Sequence, residues 1–203
     1  MLSAMYSRWL AVTALAYAVV HHLGLLPEGL GDGPDQTRWA DWIDLLVPWA
    51  VLVPGALTLR EAPATQRAWL WFGAGSVLYL TGHGIHLAAN SIYSADPSET
   101  AHLWDELVGH AIWYAGAALI LVALADTMLG RPRPRPVGYV LAIAVGLTWA
   151  SNMLGAEDLI GLGLVACGVA CGHGWRHRTE LGVVYLVGFA PALVFLFVGW
   201  FVV

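Results

Sequence analysis

Six of the eight histidines in this 203-residue chain, His21, His22, His83, His86, His102 and His110, fall near the same end of predicted apolar segments, together with Asn90, Asp105, Glu106 and Asn152. Imidazole and carboxylate are the donors that hold Zn²⁺, Fe²⁺, Mn²⁺ or copper. Polar groups are costly in hydrocarbon, so their gathering at one depth points to a buried site.

The stretch from Gly82 to Asn90 places His83, His86 and Asn90 at i, i+3 and i+7, within an arc of roughly 60° on a helix. In the next apolar segment His102, Glu106 and His110 follow at i+4 steps with Asp105 beside them. The connection Ser94-Ala95-Asp96-Pro97-Ser98 suits a tight turn and a new helix start. The two stripes therefore belong to antiparallel neighbours, with His86 and His110 at matching depth. His21 and His22 are adjacent, about 100° apart around a helix, so one of them faces the site.

Expected metal ligands are His83, His86 and His110, with His102 and His22 as further donors. Asp105 and Glu106 are the expected catalytic groups, moving protons or completing the coordination, while Asn90, Asn152 and His21 would orient the ligands. Three histidines and a water make a one-metal catalytic site; four or five with both acids would hold two. In the competing reading each histidine is satisfied separately by a backbone carbonyl or an asparagine.

Three function classes follow. The first is a membrane-embedded metal-dependent enzyme acting on a lipid or another hydrophobic small molecule at the outer leaflet, with Zn²⁺ or Fe²⁺ foremost and hydrolysis favoured. A di-iron or copper oxidase or hydroxylase would use the same ligands. The second is a haem-binding electron-transfer protein, with two histidines as axial ligands, which leaves Asp105, Glu106 and the surplus histidines unexplained. The third, an ion or proton transporter, needs a polar route through both membrane halves, yet the inner half of segment 68–95 offers little beyond Ser76 and Tyr79. A retinal protein is excluded, because the chain has no lysine for a Schiff base.

The elements that must carry these residues are apolar helices. Hydrophobic residues make up 59% of the chain and charged ones 11%, with a mean hydropathy of +0.67. Uncharged runs recur at 9–27, 45–59, 68–95, 107–125, 136–156, 160–175 and 181–203. Their continuous apolarity fits helices rather than the alternating strands of a β-barrel. The expected fold is all-α: one polytopic domain over 1–203 with seven transmembrane helices. A signal peptide at 1–27 is the weaker reading, since no clear small-x-small cleavage site follows. Pro48, Pro54 and Pro191 suggest kinks.

All nine basic residues other than histidine are arginines. Threading seven spans puts eight of them on one side, with Arg38 alone opposite. That places the N-terminus in the cytoplasm and the C-terminus outside, in a membrane of the bacterial plasma type. The net charge of -5 comes mainly from carboxylates in outward loops, and nothing points to nucleic acid. Self-association into a homo-oligomer is left open.

The arginine-proline run around 130–136 reads as a stiff topological anchor. Cys167 and Cys171 precede His173 and His177 as C-x3-C-x-H-x3-H, but on a continuous helix the cysteines and histidines face nearly opposite ways. Apolar cysteines and interfacial histidines explain these letters better than zinc. Most of the eleven tryptophans lie near segment ends as an aromatic belt, whereas Trp113 and Trp149 lie deeper, where they could wall a substrate cavity, with core packing the favoured reading. As a pattern, seven spans with His and acid ligands resemble the ceramidase and adiponectin-receptor type of membrane zinc hydrolase. That family pairs an early histidine with His-x3-His on the last helix, and here the last segment has none, so the likeness supplies chemical precedent only.

Overall fold

The computed structural model describes residues 2–22, 30–62, 64–130 and 134–202, with side chains except those of 2–7, 36 and 157. Helix dominates and no strand occurs among these residues. Four helical stretches are long and apolar enough to cross a membrane: Trp39–Glu61, Glu99–Asp126, Pro136–Gly155 and Glu180–Gly199. This is the architecture of a helical membrane protein. The side chains on its outer faces agree: Leu70, Val77, Val140, Val165, Val169 and Val194 are all exposed, as apolar groups meeting lipid rather than water would be.

The chain divides into two compact units, 1–124 and 125–203. The first contains α1 (Leu2–Val20), the short α2 (Trp39–Asp44), α3 (Val47–Glu61), α4 (Gln66–Ala95), α5 (Glu99–His102) and most of α6 (His110–Asp126). Between α5 and α6 the chain stays helical but widens to π geometry over Leu103–Gly109. Helix α1 stops earlier than the expected 9–27 segment: it ends at Val20, and His21 and His22 form a turn. Residues 23–27 of that segment lie outside the described residues.

Pro48 does not kink a helix. It stands in the first turn of α3, where its missing N–H would have had no partner. Pro54 and Pro191 lie inside α3 and α9. Thr65 caps α4, its hydroxyl accepting from the Ala68 amide at 3.1 Å, and Ser98 caps α5 through the Ala101 amide at 3.2 Å.

Glycine lets α4 and the π–α6 stretch approach backbone to backbone. A Cβ on Gly82 would overlap the Trp113 backbone, and one on Gly116 would overlap that of Tyr79. A Cβ on Gly109 would lie 2.8 Å from the His86 amide nitrogen. These positions repeat every seven residues, Gly75 and Gly82 on one rod and Gly109 and Gly116 on the other, so they line one seam. The seam carries the candidate ligands on its flank.

The second unit holds α7 (Pro136–Gly155), a 3₁₀ turn (Glu157–Leu159), α8 (Ile160–His177) and α9 (Glu180–Gly199). Gly146 meets the Gly188 backbone and Gly174 that of Gly182, so α9 packs closely on both partners. Arg178 takes the left-handed conformation, φ 45°, to end α8. Cys167 is buried and both cysteines are free thiols, in keeping with the apolar reading. Residues 131–133 of the arginine-proline run lie outside the described residues.

Candidate metal centre

The π turn decides which side chains meet. On an α-helix residues five apart stand about 140° apart, which would separate Asp105 from His110 and align Glu106 with it. The i→i+5 pattern of a π turn widens the spiral and swings Asp105 toward the face of His110. Asp105 is 3% exposed and His110 7%, whereas the side chain of Glu106 keeps 34% of its surface open. His86 reaches in from α4 beside them.

Candidate ligand atoms of His86, Asp105 and His110 lie within 4.8 Å of one another, the one such group of three or more among the described residues. His86 and His110 tilt toward each other with ring centroids 4.3 Å apart. His86 Nδ1 lies 2.5 Å from Asp105 Oδ1, yet the two are not aligned as donor and acceptor. Both atoms are buried and neither makes a hydrogen bond. A buried imidazole and carboxylate this close form an ion pair when the imidazole is protonated, and with His110 beside them they also make a donor set that one cation could share. First-row divalent ions hold N and O donors at about 2.0–2.2 Å, so modest side-chain rotation suffices to close the group on one ion.

His110 is already oriented for this role. Its Nδ1 lies 3.1 Å from the carbonyl oxygen of Glu106, and a proton donated there leaves Nε2 as the free donor, the arrangement usual for metal-bound histidine. Trp113 walls the group, stacking on His86 at 5.4 Å and on His110 at 5.7 Å. The expected packing residue is thus also the lining of the candidate centre.

The remaining expected site residues separate. His83 is buried, but its Nε2 meets the carbonyl oxygen of Asp44 at 3.0 Å. Its Nδ1 is buried without a hydrogen bond, and the ring lies 6.4 Å from that of His86. His21 is satisfied at both nitrogens, by the Tyr17 carbonyl at 2.9 Å and the Tyr79 hydroxyl at 2.7 Å. His22 is half-buried and outside the converging trio. His102 is exposed against Tyr93, with ring centroids 5.4 Å apart. Asn90 is half-buried on α4, and Asn152 lies on α7 in the second unit.

Sequence reasoning did not place Asp44 or Tyr79 in the site. Asp44 closes the amphipathic stretch Trp39–Asp44, and Tyr79 stands one turn before His83; that i−4 spacing was the available signal.

Helices and cluster together define a membrane protein with a candidate metal centre inside its first unit. No protein-family model, no curated protein and no solved structure matches the chain. Its function rests on the geometry alone.

Proposed function

We propose that this chain is a membrane-embedded metalloenzyme in which His86, Asp105 and His110 hold one divalent cation, and that its substrate is a lipid or another hydrophobic small molecule. The observation that carries this reading is the convergence of His86, Asp105 and His110, whose candidate ligand atoms lie within 4.8 Å of one another in a largely buried setting. Two imidazoles and one carboxylate suit Zn²⁺ in hydrolytic sites and Fe²⁺ in oxygen-activating ones, with coordination positions left open. A cation so held would activate a bound water or polarise a substrate carbonyl. Around it the chain supplies an apolar wall at Trp113 and a bare imidazole nitrogen at His83 Nδ1 that can accept a proton or a hydrogen bond.

In this reading all seven apolar helices, α1, α3, α4, α6, α7, α8 and α9, cross the membrane. Arginine-rich ends face the cytoplasm, the N-terminus lies inside and the metal centre sits near the outer surface. Arg38, the lone arginine on the outer side, is neutralised by Asp41 at 2.7 Å.

An oxidative variant is favoured by a separate observation. Trp113 stacks on His86 and His110 and also on His21, at 5.3 Å, whose Nε2 pairs with the Tyr79 hydroxyl. A chain of aromatic rings leading from the ligands suits one-electron chemistry. Haem is disfavoured, because rings 4.3 Å apart and tilted toward one another leave no room for a porphyrin plane between them.

The test is elemental analysis and an optical spectrum of the detergent-purified protein, with His86→Ala, Asp105→Asn and His110→Ala alongside. Wild type is expected to carry close to one metal ion per chain and each variant far less, with zinc supporting hydrolysis and iron or copper supporting oxidation. Full metal content in all three variants would overturn the assignment.

A further inference from the structure

A second set of metal-type donors stands apart in the second unit. Helix α8 ends in His173-Gly174-Trp175-Arg176-His177, and both histidines are exposed in its last turns. Residues four apart share one helix face, and their rings stand 4.5 Å apart at 43°. The cysteines contribute nothing here: Cys167 is buried, and Cys171, two residues before His173, stands about 160° from it around the helix. Two imidazoles so placed can grip one ion with donors at about 2.0–2.1 Å each.

Three further features prepare the pair. Tyr185 on α9 meets the His173 ring edge-on at 5.7 Å and 84°, which holds the ring in place. The helix ends here, and the uncompensated carbonyls of a last turn favour positive charge. Arg178, the nearest cation beyond the helix, is turned over the Trp175 ring at 5.1 Å and so drawn off the histidine face.

We propose that His173 and His177 form an exposed two-imidazole chelate for a borderline transition metal of the Cu²⁺, Ni²⁺ or Zn²⁺ class, separate from the buried centre. Imidazole donors exclude Mg²⁺ and Ca²⁺, and the order of affinities puts Cu²⁺ first. With two protein ligands the remaining positions hold water, so the ion is exchangeable. The inference does not depend on the function proposed for the buried trio.

The experiment is a Cu²⁺ titration of untagged, chelator-stripped full-length protein in detergent, followed by electron paramagnetic resonance for bound nitrogens. Measured in the His86→Ala/His110→Ala variant, where the buried trio cannot supply two nitrogens of its own, the expected result is one equivalent with a two-nitrogen signature. His173→Ala and His177→Ala should each weaken that equivalent about 10²-fold, as expected when one arm of a linked pair is lost, and the double variant should do little more. Both side chains are exposed, so circular dichroism should be unchanged. In that same background, retention of the equivalent when His173 and His177 are both replaced, its absence when both are present, or single losses that simply add would overturn the chelate.

Discussion

Asp105 and Glu106 are adjacent acids with the same chemistry, and their surroundings give them different parts. Asp105 is buried against His86, whereas Glu106 is partly open and lends its backbone carbonyl to His110. Asp105→Asn is therefore expected to remove bound metal while Glu106→Gln keeps it, as read by metal-to-protein ratio. Loss of His86 or His110 should cost more affinity than the roughly 10–100-fold typical of an outer partner. Tyr79→Phe should act on stability instead. It leaves the buried Nε2 of His21 without its 2.7 Å partner, a cost of about 1–3 kcal/mol. Thermal unfolding in detergent would register that cost with metal content unchanged, because Tyr79 is not among the three converging donors. At this scale His21, His83 and His110 each meet a backbone carbonyl, while His86 and His110 also converge with Asp105 as a group that could hold a metal ion.

Two elements position the trio, the glycine seam and the π turn. Gly82→Ala would drive a methyl group into the Trp113 backbone, and overpacking of this kind costs about 1–3 kcal/mol or more. Gly84→Ala, two residues away, meets nothing within 4 Å and serves as the control. The expected outcome is a lower unfolding temperature and reduced metal content for Gly82→Ala only. The π turn is tested by deleting one residue, Val108, which would let Leu103–Gly109 close into α geometry. Asp105 would then stand four residues before His110 and keep its face while Glu106 turns away, so metal should be retained along with helical content and membrane insertion, and loss of metal would show that the widened turn does more than set this azimuth. Helix boundaries were mostly legible in the sequence, because Thr65, Ser98 and Thr179 are caps and Pro136 opens a helix. The π widening was not legible, since it obeys no residue pattern and rests on how the helix is held by its neighbour.

For the whole molecule, the proposed seven crossings would put the two termini on opposite faces. Reporter fusions at the two ends should give opposite readouts, with the N-terminal one cytoplasmic, and like readouts at both ends would refute the count. The arginines carry this prediction: eight should share one side, and the exception, Arg38, is paired with Asp41. Tryptophan placement supports an interfacial belt, since Trp39, Trp42, Trp69, Trp104, Trp175 and Trp200 are exposed near helix ends while Trp113 and Trp149 are buried.

The amino-acid order alone pointed to a helical membrane protein, because of the two structures that satisfy the backbone in lipid only the helix suits long, continuously apolar runs, a barrel strand needing alternation. It also brought His86 and His110 to a similar level, each roughly two to three helical turns from a short connection. Only the tertiary structure chose Asp105 over Glu106, set His83 against Asp44 and left His102 outside. Those choices depend on azimuth around a helix, which a widened turn and a close glycine contact reset without changing a single letter of the local pattern.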